Sequence, residues 1–337
     1  MKVGSIVYCS VQGLGILAKS FYDNGVITHP CILEHHCRTD HWDWYPSDTP
    51  VCRRPDGYNI AHEWVKTLDV FLVFETPFDW SLISTARANG VKVVMVPMYE
   101  CMPAQIPVLP NKWICPSLLD YRYYPRENGR DSIHLPIPVD IPWKQRTRAK
   151  RFIHNSGNGG LLGRNGTREL VDSLAYISCD AEIVIRTQEF DQYIHDECAR
   201  QSNRIDVHYS SGPIAYADLF TEGDVFVFPE KFNGLSLPIQ EAYASGMLVM
   251  ATNRFPNDQY LPKEPLIPVG GVRSNRVSGA YNWFQESIVW PRAIADTINA
   301  WYDRDITDYS LQGKAYAEAN SWEVLKPHWM EALLCVS

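Results

Sequence analysis

No stretch of this sequence approaches the ~20 consecutive apolar residues that a membrane-spanning helix needs. None reads as a removable export signal either, because Met1-Lys2 leads straight into Val3-Gly4-Ser5-Ile6-Val7-Tyr8, an expected first strand. Cys-x-x-Cys pairs are missing, so the nine cysteines, an odd number, are expected as free thiols in a reducing cytoplasm. The stretch 29–52 does hold His29, Cys31, His35, His36, Cys37, His41 and Cys52, but their spacing does not suit the four convergent ligands of a structural zinc, and no metal is expected. Excess positive charge is absent as well. A net charge of −8 argues against general attraction to nucleic acid. A local basic groove built from Lys144, Arg146, Arg148, Lys150 and Arg151 stays open beside the plainer reading of that run as a solvated linker. No internal repeat or low-complexity segment is present. The 45% hydrophobic and 21% charged residues are the composition of a folded, soluble protein.

At 337 residues the chain exceeds the size at which one core stops growing, so two domains of similar size are expected. Strand-like runs at Val3-Cys9, Val70-Phe74, Val91-Pro97 and Trp113-Pro116 alternate with helical patterns, as in a parallel, doubly wound α/β domain over 1–140. The sequence then turns proline-rich and basic, which places the linker near 136–150. A second βα series covers 151–315, with strands at Arg151-Asn155, Glu182-Thr187, Ile205-Tyr209, Asp224-Phe228 and Leu248-Ala251. Its helices are expected near Thr167-Ile177, Tyr216-Thr221 and Leu237-Ser245. A last helix over 321–335 starts at the cap-like Ser321-Trp322-Glu323.

Residues 223–252, GDVFVFPEKFNGLSLPIQEAYASGMLVMAT, join a buried strand, a glycine-bearing loop and a helix that stops at Gly246. Backbone N–H groups of Gly234, Leu235, Ser236 and Leu237 can turn toward a ligand there, with Pro238 tolerated in the first helical turn. Such a helix start, lying beyond a strand's carboxyl end, suits a diphosphate. Glu241 sits one turn further in. The pattern of Pro229, Gly234, Leu237-Pro238, Glu241-Ala242 and Ser245-Gly246 resembles the donor-site motif of the family-four retaining glycosyltransferases of GT-B architecture, written E-G-F-G-L-P-x-x-E.

That resemblance implies two Rossmann-like domains with a cleft between them. It also implies that Glu241 accepts hydrogen bonds from the nucleotide ribose, and that the last helix crosses back to the first domain, unless it merely packs at the C-terminus. The family's first motif acid is replaced by Asn233, which can still hydrogen-bond the donor sugar but carries no charge. Sugar identity and stereochemical course are thereby left open. Glu230, three residues upstream, is either a substitute carboxylate or a solvated loop acid.

A second signal is IHNSGNGGLLGRNGTR, 153–168, whose Gly163-Arg164-Asn165 does not fit a phosphate-binding P-loop. Where the family carries two cations for the diphosphate, this chain has Gly157-Asn158 and Asn165-Gly166. Arg164 is then the leading phosphate ligand, and Arg186, at the end of its strand, is a second candidate beside a salt-bridged strand end. In the first domain, Gln12-Gly13-Leu14-Gly15 follows strand one, and the resemblance places Gly13 and Gly15 at the cleft. Glu75 and Glu100 stand at carboxyl ends of strands and are candidate catalytic groups. Glu100 falls near the place where the family commonly carries a His that touches the donor sugar. Trp42-Asp43-Trp44-Tyr45 is an aromatic rim for stacking or part of the core, and Asp303-Arg304-Asp305 is read as exposed.

The expected function is therefore transfer of a sugar from a UDP-, GDP- or ADP-sugar co-substrate to an acceptor hydroxyl, retaining and metal-independent as the resemblance implies, with no tightly bound cofactor. The acceptor is open among glycan, small molecule and modified DNA base. Two other classes stay open: a DNA-modifying phage-type transferase, and a non-catalytic nucleotide-sugar binding homologue or epimerase.

Overall fold

A computed structural model describes residues 1–34, 41–53, 58–124, 131–157 and 161–336. They fall into two units. One is built from Met1–Pro138, Ser278–Asn282 and the segment from Trp322 on, and the other from Val139–Val277 and Trp283–Ser321.

The first unit holds β1 (Val3–Val7), β2 (His29–Glu34), β3 (Val51–Arg53), β4 (Val70–Phe74), β5 (Lys92–Val96), β6 (Lys112–Cys115) and β7 (Asp131–His134) in one parallel sheet, ordered β3-β2-β1-β4-β5-β6-β7. Its helices are α1 (Gly13–Asp23), α2 (Tyr58–Val65), α3 (Ser81–Ala88) and α4 (Leu118–Tyr123). β4 is buried at every position, because helices cover both faces of a parallel sheet. Phe71 and Val73 pack with Trp64 and Leu82 on one side, while Phe74 meets Phe21 of α1. Of the residues weighed for zinc, Cys31 and Cys52 are buried in β2 and β3.

The second unit holds β8 (Arg151–Asn155), β9 (Glu182–Thr187), β10 (Asp206–Ser211), β11 (Val225–Phe228) and β12 (Leu248–Ala251), parallel in the order β10-β9-β8-β11-β12. Around them lie α5 (Thr167–Ser173), α6 (Gln192–Gln201), α7 (Leu237–Ala244), α8 (Asn257–Tyr260), α9 (Pro291–Trp301) and α10 (Thr307–Ala319). Successive residues of one strand serve opposite cores. Val225 and Val227 face the core of α5, α6 and α9, whereas Phe226 and Phe228 face that of α7. The expected helix over 216–221 is only a 3-10 turn, Tyr216–Asp218. An antiparallel hairpin, β13 (Gly271–Asn275) with β14 (Phe284–Ile288), completes the unit.

The basic run is neither a groove nor, at its centre, a solvated linker. Arg146 is 3% exposed and donates to the carbonyls of Gly223 (3.2 Å), Lys144 (2.6 Å), Phe220 (2.6 Å) and Ser245. Arg148 and Lys150 reach Asp303, and Arg151 reaches Glu182.

The final helix, α11 (Trp322–Leu334), belongs to the first unit although the chain enters it from the second. Trp322 and Trp329 stand edge-on to Phe21 at 4.9 and 4.8 Å. Their indole N–H groups donate to Ser20 Oγ (2.9 Å) and the Pro136 carbonyl (3.0 Å). Among the described residues no helix is long and apolar enough to cross a membrane.

Candidate active site

Both sheets reverse strand order once, between β1 and β4 and between β8 and β11. The loops leaving the carboxyl ends of two such strands diverge to opposite faces and leave a crevice, which is where open α/β sheets bind ligands.

In the second unit the diverging loops are 156–166 and 229–236. The second is braced from below by Glu230, which is 0% exposed and thus not a solvated acid. Its Oε1 accepts from Arg254 Nη1 (3.3 Å) and Asn257 Nδ2 (3.1 Å), and its carbonyl accepts from Thr252 Oγ1 (2.7 Å). Burial pushes the Glu230 carboxyl above its ordinary pKa, opposed by the charges of Arg254 and Arg164. Arg254 Nη1 also donates to the Asn233 carbonyl at 2.8 Å. Asn233 turns its Oδ1 onto the Ser236 N–H (3.2 Å), and Ser236 sits in the left-handed region at φ 43°. Such backbone is costly for a residue with a Cβ and persists where the surroundings fix it. Here Gln240 Nε2 grips the Leu235 carbonyl from inside α7.

The consequence is a row of donors. The N–H groups of Gly234, Leu235 and Leu237 have no acceptor among the described residues, although Gly234 and Leu235 are buried. Buried N–H groups are rarely left in that state without a ligand or water to receive them. Glu241, one turn along α7, is 8% exposed, and its Oε1 accepts the Tyr216 hydroxyl. Burial raises its carboxyl to about 7, with the Tyr216 bond pulling the other way.

Loop 156–166 is joined to the same place. Lys231 N–H donates to the Arg164 carbonyl at 2.7 Å, and Lys231 Nζ pairs with Glu169 at 3.0 Å. Gly157 and Gly166 are both at positive φ. At Gly166 a Cβ would come within 2.0 Å of the Pro229 carbonyl oxygen, so this loop closes onto the end of β11 only through glycine. Arg186, at the end of β9, pairs one arm with Glu222 at 2.5 Å, while its buried Nη1 has no partner among the described residues. Asn158 lies outside the described residues, as do His35, His36 and Cys37.

In the first unit, Gly13 and Gly15 lie inside the first turn of α1 rather than in the loop before it. A Cβ on Gly13 would meet nothing, whereas one on Gly15 would come within 2.0 Å of the Ser10 carbonyl oxygen, so Gly15 serves strand-to-helix closure. Glu75 follows β4 in the left-handed region at φ 58°, half-buried, with its N–H on the Val96 carbonyl (2.9 Å). Glu100 sits in the turn after β5, 2% exposed. It is near Asp120, whose carboxyl is raised to about 8 by burial and by the Glu100 charge. Asp120 accepts from the Tyr99 N–H (2.8 Å) and Ser117 Oγ (2.5 Å), which ties the Glu100 turn to α4. Trp42 and Trp44 lie in a 3-10 turn, with Trp42 exposed and Trp44 stacked on His41.

Solved structures share this architecture. HepE of Anabaena in complex with UDP is similar at a TM-score of 0.66, with 12% identity over 99% of this chain and 100% of that one. The lipopolysaccharide outer core galactosyltransferase WaaB is similar at 0.63, with 12% identity over 99% of both chains. The pneumococcal O-GlcNAc transferase GtfA, in complex with UDP and GlcNAc, is similar at 0.59, with 12% identity over 82% of this chain, which spans 59% of that transferase's length. No family model matches the sequence, and no curated protein matches it.

The fold is that of the GT-B glycosyltransferases.

The structure thus groups Glu241, Asn233, Gly234 to Leu237, Arg164 and Gly157 in the second unit of this GT-B chain, and holds Gly13, Gly15, Glu75 and Glu100 in the first. Sequence reading missed Tyr216, Lys231, Arg254 and Asp120. Asp120 was accessible, since Ser117-Leu118-Leu119-Asp120 has the spacing of a helix cap. Arg254 had no local signal, because its contacts span 21 and 24 residues. Among the described residues, metal-ligand types converge at Glu182, Asp206 and His208, on the amino-terminal edge of the second sheet, away from these loops.

Proposed function

We propose that this chain is a nucleotide-sugar-dependent glycosyltransferase whose second unit binds the donor. The observation that carries the reading is Glu241, a buried carboxyl on the first turns of α7 beside donor N–H groups with no internal acceptor. The ribose hydroxyls donate to Glu241, and their arrival favours its charged form. The diphosphate lies on the N–H groups of Gly234, Leu235 and Leu237 at the positive end of α7, with Arg164 as the candidate cation from loop 156–166. These groups also stabilise the charge that develops on the leaving diphosphate. Asn233 faces the sugar through its amide. Glu75 and Glu100 are the first unit's candidates for the acceptor or the transferred sugar. The complexes with UDP among the similar structures support a uridine nucleotide as the first donor to try. A DNA acceptor loses its motive, since the basic run is matched internally.

The test is titration of UDP, GDP and ADP into the wild type, Glu241→Gln and Glu241→Ala, followed by incubation with labelled UDP, GDP and ADP sugars and a panel of acceptors. Loss of a charge-assisted pair of hydrogen bonds is worth about 1.5–3 kcal/mol, so affinity should fall roughly 10- to 100-fold. Unchanged affinity in Glu241→Ala removes Glu241 from the site, and a full panel without transfer removes the enzyme.

A further inference from the structure

A hydroxyl residue stands directly beside each position at which the resemblance leads one to expect a loop cation: Ser156 before Gly157-Asn158, and Thr167 after Asn165-Gly166. The two hydroxyls are bonded to each other, Ser156 Oγ to Thr167 Oγ1 at 2.7 Å, and Thr167 Oγ1 lies 2.8 Å from His154 Nε2. His154 is buried inside β8, its ring 5.6 Å from that of Phe228. Its Nδ1 lies 2.8 Å from the Val227 carbonyl. A carbonyl only accepts, so Nδ1 carries the hydrogen, and every other hydrogen in the line follows from that. With the ring neutral, Nε2 accepts from Thr167 and Thr167 accepts from Ser156. The Ser156 proton is then held inward, and its remaining lone pairs repel an anion.

We propose that His154, Thr167 and Ser156 form a proton relay behind the donor loops, by which a bound nucleoside diphosphate is met with an imidazolium in place of the two missing cations. The inference rests on the nucleotide-sugar reading. A hydronium ion gives a proton to Ser156 Oγ and leaves as water, the original Ser156 proton passes to Thr167 Oγ1, and the Thr167 proton passes to Nε2. Each hydroxyl gains one proton and loses one, so the net change is one N–H bond formed and one solvent proton consumed. Every hydrogen of the line now points outward, and Ser156 donates toward the loop.

In the ligand-free chain burial holds His154 down at about 4, so the ring is neutral at pH 5.5 until an anion arrives. The charged groups on the elements packed around it bond elsewhere, with one arm of Arg186 and one oxygen each of Glu169 and Glu230 left without a partner among the described residues. Arg186 of β9 pairs with Glu222, Glu182 with Arg151, Glu169 of α5 with Lys231, and Glu230 beyond β11 with Arg254. Arg168 lies over the Tyr193 ring, and Asp172 accepts the Tyr193 hydroxyl. None of these bonds His154, which leaves the diphosphate as the charge that shifts it.

The relay is tested by following the His154 ring by NMR at pH 5.5 in the free protein and with UDP, GDP, ADP and the bare nucleosides, in the wild type, Thr167→Val and Ser156→Ala. Thr167→Val keeps the shape and cuts the line. Proton uptake on binding is read in parallel by calorimetry in two buffers of different ionisation enthalpy. In the wild type the bound diphosphate should raise the His154 pKa from about 4 by at least two units, a hundredfold shift that leaves the ring mostly protonated at pH 5.5, and the nucleoside alone should not. Uptake should exceed that of Thr167→Val by up to one proton. A diphosphate that binds the wild type while His154 stays neutral overturns the relay, as does equal uptake in Thr167→Val. Absence of binding by every diphosphate overturns the donor reading itself, and is told apart because no heat and no spectral change accompany it.

Discussion

At Glu241 the requirements of folding and of the proposed ligand binding oppose each other. Its folded pKa, about 7, lies above the ordinary 4.5, so between those values the folded chain holds more protons than the unfolded one. Stability contributed by this group is therefore fully present below pH 4.5 and is lost as pH rises through 7. Glu241→Gln removes the buried charge and keeps an acceptor for Tyr216. It should equal the wild type in denaturant unfolding at pH 4.5 and exceed it at pH 8 by on the order of 1–3 kcal/mol, while binding the nucleotide more weakly. Wild-type affinity for the bare nucleoside should fall as pH drops below 7, up to tenfold per unit, because the protonated carboxyl accepts fewer ribose bonds. Equal stability of Glu241→Gln and the wild type at both pH values would remove the conflict. Arg146 shows the contrary case, a buried charge used only for folding. It gathers carbonyls from Lys144, Phe220, Gly223 and Ser245. Arg146→Met strands these acceptors, each costing about 1–3 kcal/mol, and Arg146→Lys should recover little, since an ammonium lacks the planar fork. Urea denaturation of both variants checks this, with a loss of at least about 3 kcal/mol expected for Arg146→Met.

Among the elements, the closure of loop 156–166 onto β11 is the least tolerant joint. Gly166→Ala places a Cβ 2.0 Å from the Pro229 carbonyl oxygen at φ 70°, where a side chain is strained even in open space. The change should lower the thermal midpoint and weaken diphosphate binding together; a variant that melts early yet binds normally would separate the loop from the site. What was legible beforehand follows from the length of each signal. β4 and β12 occupy the predicted residues because each is an apolar run bounded by turns, and β8 and β9 do so through an apolar centre between polar ends. β2, β3 and β7 escaped: β3 has three residues, β7 is the polar edge strand Asp131-Ser132-Ile133-His134, and β2 carries a proline at its second position. Glu241 and its loop could be put forward as a candidate site because their pattern is continuous in sequence. Arg254, Tyr216 and the Asp120 brace reach their partners across the fold, and local pattern carries no trace of such pairs.

At the scale of the molecule, sequence order and structural membership diverge at the C-terminus. α11 follows α10 of the second unit with only Asn320 and Ser321 between, yet its tryptophans complete the core around Phe21 in the first. Trp329 is fully buried, its ring meeting Phe21 edge-on and its N–H satisfied by Pro136. Emptying such a site costs about 3–5 kcal/mol, the transfer of the ring plus the cavity left behind. The loss should appear where the core is shared and not where the chain is contiguous. In Trp329→Ala, amide hydrogen exchange should quicken in α1, β1 and β4, while β8, β9 and β11 keep wild-type protection, because their cores contain no residue of α11. Quickened exchange in β8 and β11 with β1 and β4 unchanged would assign α11 to the second unit instead, and would overturn the division of the chain on which the proposed donor unit depends.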